Sequence, residues 1–284
     1  MSLTSFVKLK DVKEHFRETF PQPKVMLVGE LKAPPLTKNY ALVGTAFDYL
    51  LRFYLERKYD FCKSGTWVAE TSLMLLKELT LVDSSMEPVA KQVKAILDDA
   101  RLKHKEYIET GELNDDLLRI CLKLGKIDSI RRSGRIPEDM NSVDELDVKD
   151  LRNLLEIVDE KLFSAKKICL LNPTFGDASS LVDGADADIV MDNQLIDVKT
   201  TKFLKLKEQD LHQIIGYYIL SKLGKLEDAP KNLEIDKIGI YFSRYGVLRM
   251  FEVPSLDSKH FPISEEKFSE FVEWFEKRAE KEFS

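Results

Sequence analysis

The spacing of apolar residues divides the chain into helical and extended stretches. Apolar residues at intervals of three and four predict helices over residues 4–20, 46–58, 85–107, 115–124, 147–163, 208–223 and 264–283. Short apolar runs, and alternation of apolar with polar residues, predict strands over residues 25–28, 168–171, 188–199, 235–243 and 247–253. The chain is therefore mainly helical before residue 166 and mixes strands with helices after it.

Prolines and glycines mark the ends of several of these helices. Pro21 and Pro23 end the first one, because proline lacks the amide hydrogen that a helix interior needs. Gly111, Gly125 and Gly224 each follow a helical stretch, and each is predicted to end it.

Composition and charge indicate a globular protein of the cytoplasm. Hydrophobic residues make up 44% of the 284 positions and charged residues 32%, and no run of 18 apolar residues is present, so we expect no membrane-spanning helix. The first ten residues lack the continuous apolar segment of a secretion signal. A net charge of −6 argues against a protein that coats nucleic acid, although local clusters of basic residues can still bind phosphate.

The three cysteines indicate no shared site. Cys62, Cys121 and Cys169 are far apart, odd in number and include no CxxC pair. This distribution predicts buried or incidental thiols in a reducing compartment, without a disulfide framework, a zinc site or an iron–sulfur cluster.

The stretch from Asp188 to Lys199 carries the strongest chemical signal. It reads as two strands joined by a turn at Asn193–Gln194, a register that places Asp188 opposite Lys199. Side chains alternate between the two faces of a strand, so Asp188, Asp197 and Lys199 share one face and the other face is apolar. The two aspartates are then diagonal neighbours, about 7–8 Å apart.

Two carboxylates and a lysine on one face suit phosphodiester hydrolysis. Asp188 and Asp197 can converge on one divalent cation, and Lys199 can hold or deprotonate a water molecule. Taken alone, an Asp-x-Lys on a strand is more often the solvated face of an amphipathic hairpin. The neighbouring sequence favours chemistry, because further acids precede Asp188 and further lysines follow Lys199.

Three separate segments each carry a short motif of polar residues. They are Gly44-Thr-Ala-Phe-Asp48, Asp188 with Asp197-Val-Lys199, and Gln213-Ile-Ile-Gly-Tyr217. Together they resemble the PD-(D/E)XK nuclease superfamily, in particular its RecB-like branch, over residues 44–60 and 166–245. The first motif departs from the family pattern Gly-Thr-x-x-His, since Asp48 stands where histidine is usual.

The resemblance implies an α/β fold with a restriction-endonuclease-like core, a mixed β-sheet flanked by helices, and a large helical insertion. Residues 1–66 would hold the N-terminal helix and the first core helix, 67–163 the insertion, and 164–284 the core with its catalytic hairpin. The implied activity is that of a Mg²⁺- or Mn²⁺-dependent deoxyribonuclease, exonuclease-like, in DNA repair, recombination or phage-related DNA processing. Iron–sulfur relatives need four cysteines, so no cluster is expected.

The resemblance also implies a set of metal ligands. Asp188, Asp197 and the carbonyl of Val198 would bind the cation, with Asp48 as a third acidic ligand and Glu56 as its reserve. The alternative for Asp48 is a helix-start acid that faces the positive end of the helix dipole.

Other polar residues receive roles as well. Lys199 would position or deprotonate the attacking water. Gln213 would orient a phosphate or a ligand, and Tyr217 would stack on a base or hold the lysine. The alternative for the last two is a solvated glutamine and a packed tyrosine. Two basic clusters could contact the phosphate backbone. They are Lys202, Lys205 and Lys207, and the loop with Arg131, Arg132 and Arg135, for which a merely exposed loop is favoured.

Three rival functions stay open on the sequence. The nuclease could be an endonuclease of the restriction or defence type, rather than an enzyme that prefers single strands or strand ends. The same fold could serve as a non-catalytic nucleic-acid-binding module, since fold does not determine chemistry. The hairpin could also match by chance in another enzyme or in a helical interaction protein.

Overall fold

The structure, a computed structural model, describes residues 2–283. Over these residues the chain forms ten α-helices and six strands. The helices are α1 (Leu3–Phe6), α2 (Lys10–Thr19), α3 (Tyr40–Lys58), α4 (Val68–Thr80), α5 (Glu87–Thr110), α6 (Asp115–Ser133), α7 (Glu145–Glu156), α8 (Asp177–Ser180), α9 (Glu208–Leu223) and α10 (Glu265–Phe283). The strands are β1 (Lys63–Ser64), β2 (Cys169–Leu171), β3 (Ile189–Met191), β4 (Gln194–Lys199), β5 (Lys237–Phe242) and β6 (Val247–Glu252).

The six strands form one open, mixed sheet in the order β1-β2-β3-β4-β5-β6. The β1–β2 and β4–β5 pairs are parallel, and the other three are antiparallel. Helix α9 connects β4 to β5, because parallel neighbours need a crossover that returns the chain to the same end of the sheet. The α/β class and the mixed sheet flanked by helices are therefore confirmed.

Both faces of the sheet are buried, each in its own apolar core. Ile189, Met191 and Ile196 pack against the core formed with α3 to α7. Val190 and Leu195, at the alternate positions, pack against the core formed with α1, α2, α9 and α10. Helices α4 to α7 therefore share a core with α3 and the sheet; the division at residues 66 and 163 stays a prediction.

Two predicted helix ends are wrong: α7 ends at Glu156 rather than at residue 163, and the end predicted at Gly125 fails for a reason visible in the packing. Gly125 does not end a helix but lies inside α6, where an added Cβ would sit 3.3 Å from the backbone oxygen of Leu42. The missing side chain lets α6 approach α3 closely. The helix ends instead at Gly134, which has a left-handed φ of 67°.

The N-terminal part also differs from the prediction. The helix expected over residues 4–20 is two helices, α1 and α2, and residues 25–28 form no strand. Their alternation is real, since Val25 and Leu27 pack on the core while Met26 and Val28 are exposed. Helix α3 begins at Tyr40 rather than at residue 46.

A disulfide joins Cys62 to Cys169, so the prediction of free thiols was wrong for this pair. Strands β1 and β2 pair in parallel with Lys63 beside Leu170, which places the two preceding residues side by side. The contact therefore depends on strand pairing across 107 residues of sequence. Cys121 is a buried free thiol. None of the described helices is long and apolar enough to cross a membrane.

Candidate functional site

The hairpin of β3 and β4 has a register two residues away from the predicted one. Ile189 pairs with Ile196, and the turn consists of Asp192 and Asn193. Asp192 adopts a left-handed φ of 48°, and its carboxylate accepts hydrogen bonds from three backbone amides, those of residues 166–168. Continuing the register brings Asp188 opposite Asp197. A shift by two residues keeps every side chain on its face, so the predicted sharing of one face is confirmed.

Asp188, Asp197 and Lys199 lie together at the end of this hairpin. The amide of Val198 donates to Oδ2 of Asp188 over 2.6 Å. Nζ of Lys199 lies 2.9 Å from Oδ1 and 2.7 Å from Oδ2 of Asp197. Asp197 is buried, whereas the lysine side chain is 22% exposed. Lys199 therefore contacts the buried carboxylate of Asp197 while part of its own side chain is exposed to solvent.

Helix α9 continues this network. Lys199 Nζ donates to Oε1 of Gln213 over 2.9 Å, and Nε2 of Gln213 donates to the hydroxyl of Tyr217 over 2.9 Å. Gln213 therefore holds the lysine, and Tyr217 reaches it only through Gln213; a role of Gln213 in orienting a ligand stays a prediction. The predicted base stacking by Tyr217 is wrong, because this ring is buried and lies flat against Phe175, with centroids 5.6 Å apart.

These side chains line a cavity of about 160 Å³. Its wall contains all five residues predicted to be catalytic, which are Asp188, Asp197, Lys199, Gln213 and Tyr217. It also contains Val198, whose carbonyl was predicted to bind the metal. Ser2, Leu3 and Thr4 close one side. Leu3 reaches this position because Gly216 of α9 has no side chain; a Cβ there would lie 3.0 Å from Leu3 Cδ1.

The carboxylates of the site carry more negative charge than the lysine balances. Burial raises the pKa of Asp188 well above its usual range, and the charges of Asp197 and Asp48 raise it further. Burial also raises the pKa of Asp197, against the opposing effect of Lys199. Burial alone would lower the pKa of Lys199, but the two aspartates raise it above the ordinary lysine value. The site therefore favours an added cation or a proton.

Asp48 and Glu56 occupy different environments. Asp48 accepts a hydrogen bond from Arg52 over 2.8 Å, does not line the cavity, and is close enough for its charge to raise the pKa of Asp188. It lies well inside α3, so the helix-start alternative is wrong. Glu56 instead pairs with His104 of α5 at 2.5 Å, which removes it as the reserve ligand.

Arg132 is the residue for which the sequence favours an exposed loop over a phosphate contact, and the structure places it at the cavity. Its side chain, half exposed, lines the cavity and lies 4.0 Å from Asp186 and 3.4 Å from Asp128. It was assigned to an exposed loop because α6 was predicted to end at residue 124. The four-residue spacing of Asp128 and Arg132, typical of an ion pair on a helix, was the available signal.

Lys202, Lys205 and Lys207 are exposed in the loop between β4 and α9, as expected, but none of them lines the cavity. They lie beside the site and not in it. Any contact with a phosphate backbone would therefore involve nucleotides outside the cavity.

The chemistry of the donors fits a hard divalent cation. Within residues 2–283, no set of three or more His, Cys, Asp or Glu side chains is gathered as a metal-binding group. Asp188 and Asp197, which carry carboxylates, and Val198 nevertheless line one cavity. Mg²⁺ is commonly bound through one or two carboxylates together with water and substrate phosphate. The excess negative charge of the site also favours the binding of a cation.

Comparisons of the chain with protein-family models, with curated proteins and with solved structures give no match.

Proposed function

We propose that the protein is a Mg²⁺- or Mn²⁺-dependent deoxyribonuclease whose core is of the restriction-endonuclease-like, PD-(D/E)XK type. One observation carries the proposal. Residues that the sequence singled out in two separate segments, the hairpin and α9, lie in one cavity and are joined by hydrogen bonds from Asp197 through Lys199 and Gln213 to Tyr217. A chance match of short motifs gives no reason for such convergence.

The acidic residues would hold the metal. Asp188, Asp197 and the Val198 carbonyl would supply its protein ligands. Asp48, predicted as a third ligand, is paired with Arg52 outside the cavity lining and would act through its charge alone. When bound, the cation polarises the scissile phosphate and lowers the pKa of a water molecule. Hard oxygen donors favour Mg²⁺ or Mn²⁺ over softer metals.

Lys199 would act on the attacking water, which it positions or deprotonates. Its Nζ lies 2.7 Å from Oδ2 of Asp197 and 2.9 Å from Oε1 of Gln213, and the neighbouring aspartates raise its pKa. A protonated lysine positions the attacking water and offsets the charge that develops on the phosphate. Gln213 and Tyr217 hold the ammonium in place, and Arg132 adds a second positive charge at the cavity wall.

The shape of the cavity favours strand ends. Ser2, Leu3 and Thr4 line one side of the cavity, and its volume of about 160 Å³ is small beside a duplex. A strand that enters from the lysine-rich loop would present its terminal phosphodiester to the site. We therefore propose exonuclease-like cleavage of single-stranded or frayed DNA, by a cytoplasmic enzyme of DNA repair, recombination or phage-related processing.

The test is incubation with four DNA forms, single-stranded and duplex, each linear and circular, with Mn²⁺, with Mg²⁺ and with a chelator. We expect metal-dependent degradation of linear single strands from their ends. Cleavage of circular duplex at the same rate would instead indicate an endonuclease. The absence of hydrolysis on every form with either metal would contradict the proposal and favour a binding module.

A further inference from the structure

Two aromatic rings project into solvent beside the candidate site. Phe203 is 58% exposed and Tyr40 is 43% exposed. Nζ of Lys202 lies 5.2 Å from the centre of the Phe203 ring and 5.4 Å from that of Tyr40, so one cation contacts both rings. Exposed aromatic rings lose the stabilisation that burial would give them, and a pair around a lysine is a feature that a binding partner would explain.

The chain fixes this group close to the cavity. Gly44 of α3 packs on the loop that follows Lys199, since a Cβ on Gly44 would lie 3.6 Å from Thr200. The hydroxyl of Tyr245 donates to the backbone oxygen of Lys202 over 2.7 Å and holds the loop in place. Phe203 follows Lys199 by four residues, so their backbones are at most about 14 Å apart.

The charge of the loop identifies its partner. Residues 200–207 include three lysines and no acidic residue, whereas the cavity itself is acidic. A polyanion would therefore be held along the loop while its reacting phosphate meets the metal ligands. Aromatic rings beside a basic track are the arrangement with which proteins bind unpaired nucleotides, because every base has a face that can stack.

We propose that Tyr40, Lys202 and Phe203 form a stacking site for unpaired bases of the DNA strand whose phosphodiester enters the cavity. This inference rests on the proposed function and names its substrate as single-stranded DNA. It replaces the stacking role expected of Tyr217, whose ring is covered by Phe175. Duplex DNA would not occupy the site, because its base faces are already stacked on one another.

The first measurement is binding without cleavage. Oligothymidylate carrying single 2-aminopurine substitutions at successive positions is titrated with the protein in the presence of chelator. Stacking quenches 2-aminopurine, so we expect quenching at positions near one end in the wild type. Phe203→Ala and Tyr40→Ala should lose the quenching and weaken binding by roughly tenfold each, a change within the range of one base–aromatic stack.

The controls separate stacking from apolar contact and from misfolding. Phe203→Trp should keep the quenching, whereas Phe203→Leu, which keeps an apolar surface without a ring, should lose it. Phe61→Ala removes another partly exposed ring, 37% exposed, and should bind as the wild type does. All variants should melt at the wild-type temperature, because these side chains lie outside the apolar cores.

The two hypotheses fail in different assays. Unchanged quenching and affinity in Phe203→Ala, in Tyr40→Ala and in the double variant, with folding intact, would overturn the stacking site. Hydrolysis of bis(p-nitrophenyl) phosphate with Mn²⁺ tests the metal centre without any base. We expect Phe203→Ala to retain this hydrolysis. If the wild-type protein does not hydrolyse bis(p-nitrophenyl) phosphate, the result contradicts the proposed nuclease activity but not the stacking site.

Discussion

An ion pair and a three-residue charged cluster in this protein contain similar side chains but differ in charge balance and in access. Arg244 and Asp150 are each 1% exposed and meet in a two-bond pair of 2.7 and 3.0 Å, and the arginine also donates to the carbonyl of Ala33 over 3.0 Å. We call this the closed pair. One cation faces one anion, their hydrogen bonds are made within the chain, and the pair lies inside the protein.

Asp188, Asp197 and Lys199, the open cluster, show the contrast. Asp197 pairs with Lys199, whereas Asp188, among the described residues, accepts only from the amide of Val198. The pKa values of both carboxylates are raised, and the side chains line a cavity. The difference lies in charge balance and access, not in residue type. A balanced, enclosed pair is a structural element whose disruption destabilises the fold. An unbalanced cluster beside a cavity is available for a ligand.

The largest expected effect concerns the open cluster. Lys199→Ala should reduce cleavage by about 10²–10⁴-fold, the usual contribution of a positioned side chain to catalysis, while metal binding and folding stay nearly intact. Asp188→Asn should lose both metal binding and cleavage. Single-turnover cleavage and calorimetric metal titration measure the two effects. If both variants cleave every DNA form at the wild-type rate, the open cluster is not the active site.

The closed pair should respond in the opposite way. Asp150→Ala leaves Arg244 buried without its counter-charge, and breaking a buried pair by removing one partner typically costs about 3–5 kcal/mol. Urea unfolding followed by circular dichroism measures the loss. At temperatures where the variant stays folded, we expect cleavage per folded molecule to equal that of the wild type. A fully stable variant with reduced cleavage would reverse the assignment of the two sites.

Arg132 tests whether α6 contributes to the open cluster. Arg132→Gln should lower cleavage by roughly ten- to a hundredfold, because a positive charge at the cavity wall stabilises charge that develops in the transition state. Arg131→Gln, at an exposed position one residue away, is the matched control and should retain full activity. Equal rates for both variants would restrict Arg132 to its ion pairs with Asp128 and Asp186.

The smallest effect is a pH dependence of stability. His212 is buried beside Phe16, and burial lowers its pKa from 6.5 to about 4. The folded state therefore excludes a proton that the unfolded chain accepts, so this residue lowers stability as the pH falls from about 6.5 towards 4. Between pH 7 and pH 5, the melting temperature of His212→Phe should decrease less than that of the wild type. A larger loss in the variant would contradict this sign.

The fold was predictable where local spacing decides the structure. The predicted bounds of helix α9 agree with the observed ones, because apolar residues run along most of it and Gly224 follows it. The predicted register of the hairpin was wrong, but the site residues still share one face, because a shift by two residues leaves each side chain on its face. Arg132 and the Cys62–Cys169 disulfide were missed, because one depends on how far α6 extends and the other on the pairing of β1 with β2. Tertiary contacts of this kind leave little local signal.

The most direct test of the central claim is titration of Mn²⁺ into the protein, followed by calorimetry and by the electron paramagnetic resonance signal of the free ion. We predict one site in the wild type that is lost in Asp188→Asn and retained in Asp98→Asn, a control at an exposed aspartate paired with Lys94. The absence of a site in the wild type, or equal binding by Asp188→Asn, would contradict the assignment of the open cluster as a metal centre.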